Sequence, residues 1–415
     1  MPRRLGIAGL LALGMGASAA QEIQWEGYGT VAAHRGDDAV AGVRADGRNR
    51  HFSRDGDWVF DGDSLLAVQA QASHPRLGKL VWQALARDDV RHGARPRTEW
   101  LYWSQETESG WQWRLGRTAL PVFLHSETRH LGYAQTSARP ANVVYQINPF
   151  THVDGVQINH HHAFGPGELK TELYWGNAKL GVPAGQVKAE QLSGLALRWD
   201  QGPWSLRYGH HSLVFDTAVP AIERLLNELS SGRTGCSNCA SVLARRVPTR
   251  GIHSRIHSLA LQYDDGPWLL SLEATAREAN STLAARAQAW YVLAAHRMGD
   301  WTPYAVVGEM RFREPPLGLQ TLPQAGPAAA AVHARIDRYL QTPNDRRIWQ
   351  LGLRWDFRER MALKLQIEGY RSTAEAGLGQ SNFLEVPSPP PIGSYRGPVW
   401  DGRVRQLSVN LDFLF

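Results

Sequence analysis

The chain closes on Arg405-Gln-Leu-Ser-Val-Asn-Leu-Asp-Phe-Leu-Phe415. Leu407, Val409, Leu411, Phe413 and Phe415 alternate with Gln406, Ser408, Asn410 and Asp412. Successive side chains of an extended chain point to opposite faces, so this run is a strand with one apolar and one polar side. A strand that crosses a bilayer has this form over about ten residues, apolar toward lipid and polar toward a lumen. The closing strand of a soluble sandwich is the alternative reading.

Composition narrows the choice. The chain has 415 residues, 43% hydrophobic and 20% charged, with 40 Gly and 16 Trp and a mean hydropathy of -0.36. That is too polar for a helical membrane protein, and after Leu5 to Ala12 no long apolar run remains to form a membrane helix. Only helices and closed barrels satisfy their backbone groups in lipid, which leaves a soluble protein or a closed barrel. Residues 1–20 read as a secretory signal peptide: Arg3 and Arg4, a short apolar stretch, then small residues before Gln21. Cleavage is expected after Ala20, with Ala17-Ser-Ala19 offering a site one residue earlier.

An exported chain meets an oxidising compartment, so the two cysteines, Cys236 and Cys239, are expected to form a small loop disulfide. A zinc site needs two further ligands at suitable spacing, and no metal or other cofactor is expected. The formal net charge is +6. Its arginines are scattered singly through alternating segments rather than gathered on a basic helix, which argues against nucleic-acid binding. His160-His-His162, His210 and His211 invite a metal reading, but consecutive strand residues point to opposite faces and do not converge on one ion.

Alternation predicts sixteen strands: 22–34, 63–74, 77–88, 97–107, 110–118, 152–163, 168–178, 190–200, 203–215, 254–264, 267–278, 285–298, 301–312, 346–357, 360–372 and 403–415. An even number suits a single-chain barrel. Every second connection is tight, as in Asp200-Gln-Gly-Pro203, Asp264-Asp-Gly-Pro267 and Met298-Gly-Asp300, where Gly, Asp and Pro supply hairpin geometry. The others are mostly longer, notably 35–62, 119–151, 216–253, 313–345 and 373–402. Loops sorted by parity are the pattern of short periplasmic turns and long extracellular loops, for which a soluble sandwich has no reason. The expected fold is therefore all-β, a transmembrane antiparallel barrel of about sixteen strands in one domain, 21–415.

Individual strands assign faces. Trp349, Leu351, Leu353, Trp355 and Phe357 should meet lipid, and Gln350, Gly352, Arg354, Asp356 and Arg358 water. Trp25, Trp111, Trp204, Trp268 and Trp301 lie near the tight turns, where amphipathic rings form a girdle at headgroup level.

The signal peptide, the strand pattern, the loop parity and terminal Phe415 together resemble the sixteen-stranded porins of the Gram-negative outer membrane. The resemblance spans the whole mature chain. It implies a homotrimer with one pore per subunit, surrounded by outer-membrane lipid and passing small solutes. It also implies recognition of the closing aromatic strand by the barrel assembly machinery. In such proteins the third extracellular loop folds into the lumen; here that loop is 119–151, rich in apolar residues such as Val122, Phe123, Leu131, Val144 and Phe150. It lacks the Pro-Glu-Phe-Gly-Gly type of motif of general porins. It is similar instead to a less characterised proteobacterial group in which Leu-Gly-Arg and Leu-Pro precede the loop and Asn-Pro-Phe closes it.

Charges at a constriction set selectivity, which makes Glu127, Arg129, His130 and Arg139 the candidate constriction. Strand parity places Arg114, Lys170, Arg198, Arg207, Arg311, Arg354 and Lys364 on the lumen wall, with Glu172, Glu273, Glu309, Asp356, Glu368 and Asp412. Cations slightly exceed anions in this set, so the expected function is passive diffusion with a weak preference for anions. Two rivals stand beside it. A barrel enzyme of lipase or protease type would need a nucleophile beside a base, and no Gly-x-Ser-x-Gly occurs. A plugged structural or adhesive barrel fits the long loops 216–253 and 313–345, where Ala218 to Ser230 reads as a short helix.

Overall fold

The computed structural model describes residues 23–39, 41–44, 49, 51–53, 55–89, 93–182, 185–218, 220–233, 235–313, 317–341, 345–372, 384–385 and 401–415. The expected signal peptide lies outside the described residues. Sixteen antiparallel strands close into one barrel. They are β1 (Ile23–Gly36), β2 (Leu65–His74), β3 (Gly78–Arg87), β4 (Arg97–Glu106), β5 (Trp111–Ala119), β6 (His152–Phe164), β7 (Gly167–Val182) and β8 (Gly185–Gln201). The second half comprises β9 (Trp204–Ala218), β10 (Ile252–Asp264), β11 (Trp268–Ala279), β12 (Ala287–His296), β13 (Trp301–Phe312), β14 (Arg346–Arg358), β15 (Met361–Ser372) and β16 (Arg403–Leu414).

Each strand pairs with its sequence neighbours, and β1 pairs with β16 to shut the seam. At the short-turn end Gly27 and Phe415 exchange backbone hydrogen bonds of 2.8 and 2.9 Å. The rings of Phe415 and Phe413 lie across Gly27 and Gly29 of β1, where any Cβ would collide with them. The terminal aromatic residues thus need glycine on the strand they close against.

Alternation has the expected sense on β16: Gln406, Ser408, Asn410 and Asp412 are buried and Leu407 and Phe415 are exposed. Leu270, Leu272, Trp349, Leu351 and Trp355 are exposed outward, while Ser271, Glu273 and Gln350 are buried inside. The five tryptophans near the tight turns are all exposed, as a girdle requires.

Three departures from the sequence reading are informative. The residues between the expected strands 168–178 and 190–200 are mostly strand, because β7 and β8 run on to Val182 and from Gly185 as a paired hairpin. Ala178, Leu180 and Ala189 are buried on that arm. Second, Arg311 and Glu309 face outward, with Val307, while Tyr304, Val306 and Met310 point in. Parity misassigned them because both faces of β13 are apolar in its middle. Third, the long connections hold more helices than the one expected at Ala218 to Ser230, which forms as α2 (Pro220–Ser230): α1 (Asn142–Tyr145) lies inside the lumen, and α3 (Cys239–Arg246) and α4 (Pro327–Gln341) join α2 at the long-loop end. Leu229, Leu243, Leu317 and Leu319 form a small separate core there with Cys236 and Cys239, which are disulfide-bonded.

Candidate functional site

Residues 120–151 fold into the barrel, and their sequence explains why. Leu120, Val122, Phe123, Val143, Val144, Tyr145, Ile147 and Phe150 are all buried, an apolar content that water would not tolerate in a free loop. They join one core with inward residues of the wall, including Tyr291, Leu293, Tyr304, Val306, Met310, Ile348 and Tyr370. Helix α1 packs on β11, β12, β13 and β14. The inner wall of β12 and β13 is largely apolar, with Ala289, Tyr291, Leu293, Tyr304, Val306 and Met310 buried, unlike the polar lumen face of a water-filled barrel.

The opposite side of the loop rests on charge. Arg139 is buried with its Nε 2.9 Å from Asp63 and its Nη1 3.0 Å from Glu368, and its Nη2 donates to Ser408 at 3.1 Å. Lys364 Nζ sits 2.8 Å from Asp412 and donates to the carbonyls of Gly132 at 2.7 Å and Ser137 at 3.2 Å. Lys364 and Asp412 are both 0% exposed. Gly132 lies so close to the Asp412 carboxylate and the Thr30 hydroxyl that a Cβ would displace them.

Other cations of the wall hold loop carbonyls. Arg354 donates to Tyr133 at 2.8 Å and Gln135 at 2.9 Å, Arg207 to Pro121 and Val122, and Arg277 to Ile147 at 2.7 Å. Arg346 donates to the Gln146 side chain. Glu273 accepts the Leu124 N–H at 2.8 Å. An irregular loop inside a barrel carries unpaired peptide groups, and these side chains are their partners.

Two cavities lie beside the loop among the described residues. One, of about 70 Å³, lies toward the long loops and is lined by Asp63, Arg87, Arg129, His130 and Arg139 among others. The second, of about 140 Å³, lies toward the short turns, between His125, Ser137 and the wall residues Asp264, Ser271 and Arg297. Gln135 and Pro140 border both.

Of the four candidate constriction residues, Arg129, His130 and Arg139 share the first cavity. His130 lies 3.3 Å from Arg87, and Arg129 stands over the Tyr145 ring. Glu127 is elsewhere, 3.2 Å from Arg114. Burial pushes the Glu127 carboxyl up, but Lys170 and Arg114 outweigh it and hold it below the usual range. Burial and the Arg198 charge lower His125 to about 4, so its imidazole is neutral at ordinary pH.

Among the candidate lining residues, Lys170 pairs with Glu172 at 2.9 Å and Arg198 with Asp200 at 2.9 Å, both facing the lumen. Arg207, Arg354 and Lys364 are loop latches, and Arg311 is outside. Sequence reasoning missed His34, Asp63, Arg87, Arg277 and Arg346, and the tyrosines that face the loop. Parity along β3, where Val81, Gln83, Leu85 and Arg87 are buried together, carried the signal for Arg87. Asp63, at the first position of the expected strand 63–74, lies just before the strand that forms, Leu65–His74.

No protein-family model matches the sequence, and no curated protein matches it. Solved structures do. The anion-selective porin from Comamonas acidovorans superposes with a TM-score of 0.53 at 14% identity, covering 95% of this chain and 100% of that one. Salmonella typhi OmpF, in its complex with daunomycin, gives 0.54 at 9% identity over 95% and 98%. The trimer form of OmpT, an outer membrane protein of Vibrio cholerae, gives 0.54 at 10% identity over 96% and 100%. At such identities the likeness is one of fold: this chain has the closed sixteen-stranded barrel of outer-membrane porins.

Proposed function

We propose that the chain is an outer-membrane channel through which small hydrophilic solutes diffuse passively, past a constriction made by residues 120–151. The observation that supports this reading is a pair of cavities beside the loop, one toward each end of the barrel, both bordered by Gln135 and Pro140. The exposed apolar belt with its tryptophan girdle supports placement in a bilayer. Arg87, Arg129 and Arg139 against Asp63 on the outer cavity favour anions. The Comamonas neighbour is itself titled anion-selective, and the Vibrio neighbour has a trimer form, which supports a homotrimer here.

One observation favours a second reading, a barrel plugged by its loops. Lys364, Glu368, Asn410 and Asp412 on the wall are 0% exposed, which is more burial than a wide water-filled lumen gives. Single-channel conductance in planar bilayers, with reversal potential under a salt gradient, separates the two. Stepwise ohmic currents with an anionic reversal potential are expected. A correctly folded barrel that conducts nothing would support the plug.

A further inference from the structure

His210 and His211 are consecutive on β9 and point to opposite faces, so they share no ligand. The partner that His210 lacks on its own strand stands on the next one. Cross-strand register sets His210 directly opposite His257 of β10. Both face outward, since Arg207 and His211 on β9 and Ile256 and Ser258 on β10 are buried in the alternate positions, while Tyr208 and Leu259 are exposed. His257 is exposed and His210 half-buried. The pair stands at the edge of the apolar belt. Tyr208, Leu206, Leu259 and Leu261 follow toward the short turns, and one position toward the long loops Arg255 faces Glu278 of β11. An ion reaches the two rings from that charged side.

The rings are tilted by 53° with centroids 4.6 Å apart, and their Nδ1 atoms are 3.5 Å apart. That is long for a hydrogen bond between two imidazoles. It is the spacing of two ligands on one metal, because two bonds of about 2.1 Å at a tetrahedral angle subtend about 3.4 Å. The Tyr208 hydroxyl lies 3.1 Å from His257 Nδ1 and brings an oxygen donor to the same corner. His160 and His162 show the contrary geometry. Their rings are stacked at 24° with centroids 4.8 Å apart, continuing the stack of Trp111 on His160, so their in-plane lone pairs run side by side and do not converge.

We propose that His210 and His257 bind one divalent transition cation, of the zinc, nickel or copper class, through both Nδ1 atoms, with the Tyr208 oxygen and water completing its shell. Neutral imidazole is a ligand that suits all three metals. The ion joins β9 to β10 below the connection that carries α2 and α3, and so closes that long loop near its root. The site stands whether or not the barrel conducts.

The test uses the untagged full-length protein, folded in neutral detergent without chelator and titrated calorimetrically with zinc chloride or nickel sulfate. Wild type should take up one ion per barrel, and the ion should raise its melting temperature. His210→Gln and His257→Gln should each bind at least about tenfold more weakly, the lower bound for disturbing even the surroundings of a metal ligand. The variant carrying both His160→Gln and His162→Gln should bind as wild type does. With copper(II), the electron paramagnetic resonance spectrum of wild type should show coupling to two imidazole nitrogens, and that of His257→Gln to one at most. Undiminished binding by a folded His210→Gln or His257→Gln protein would overturn the proposal, as would loss of binding in the His160→Gln, His162→Gln protein. If a glutamine variant does not fold, His210→Asn and the wild-type copper spectrum decide, and fewer than two coupled nitrogens in wild type sinks the site.

Discussion

One loop is held inside the barrel by two different chemistries. Its earlier part, from Gly132 to Arg139, is fixed to β15, β16 and the segment before β2 by buried charges: Arg139 with Asp63 and Glu368, and Lys364, paired with Asp412, on the Gly132 and Ser137 carbonyls. Its later part, from Val143 to Phe150, is fixed to β12, β13 and β14 mainly by aliphatic and tyrosine packing, with Arg277 and Arg346 holding Ile147 and Gln146 besides. Desolvating a buried ion pair offsets most of its Coulomb energy, whereas apolar burial is favourable outright at about 25 cal/mol per Å². Adhesion of the loop therefore comes mainly from the later part. What the charged part adds is position, since each cation accepts only the geometry that reaches a particular carboxylate or carbonyl.

Breaking the charged side should have the larger effect. Arg139→Ala leaves Asp63 and Glu368 buried beside no guanidinium, at a cost of about 3–5 kcal/mol. The expected outcome is a loop displaced at that end: larger, noisier conductance and new protease cleavage within 120–151, while the barrel keeps its heat-modifiable migration on gels. An Arg139→Ala protein with wild-type conductance would show that packing alone sets the loop's position.

On the apolar side, Ile147→Ala removes a buried side chain and opens a cavity, at about 2–4 kcal/mol. The two sides are distinguished by which property moves. Ile147→Ala should lower the melting temperature while the unitary conductance stays near wild type, because the charged latches still define where the loop sits. A conductance change as large as that of Arg139→Ala would erase the distinction.

His125 offers a reversible probe between the two sides. Its imidazole is held at about 4, below the ordinary 6.5 for histidine, by burial and then by Arg198. A group depressed in the packed loop takes up its proton more readily when the loop is released, so anchoring weakens as pH falls from about 6.5 toward 4 and is unaffected above. Conductance fluctuations should increase over that window in wild type and not in His125→Gln.

Much of this was legible in the sequence, and the boundary of what was legible is physical. Strand number, turn parity and the closing run to Phe415 follow from period-two alternation, because lipid and water act on opposite faces of every strand. The inward-folded loop was legible from its own apolar residues, Val122 to Phe150. What alternation could not give was the wall that receives it: Tyr304, Val306 and Met310 make β13 apolar on both faces, and parity then placed Arg311 inside when it points out. The latches were half legible. Lys364, Arg354 and Arg207 were read as lumen cations, correctly as to face, but their partners are backbone carbonyls of residues far away in sequence, which no spacing encodes.

The smallest expected effect concerns the one candidate constriction residue set apart from the rest. Glu127 is partly exposed and meets Arg114 on β5, the strand the loop leaves, rather than a latch, so the loop does not depend on it. An ion pair of that exposure contributes about 0–1 kcal/mol, and Glu127→Gln should leave stability and protease resistance unchanged. Its charge still acts on a passing ion, over a distance set by the Debye length of about 10 Å at 0.1 M salt. Removing it frees Arg114 and raises the positive potential of the lumen, so the reversal potential should move by a few millivolts toward anion selectivity at low salt and converge with wild type near 1 M salt. A shift toward cations, or none at low salt, would mean that ions take a path away from the Arg114 wall, past Arg129 and His130 alone.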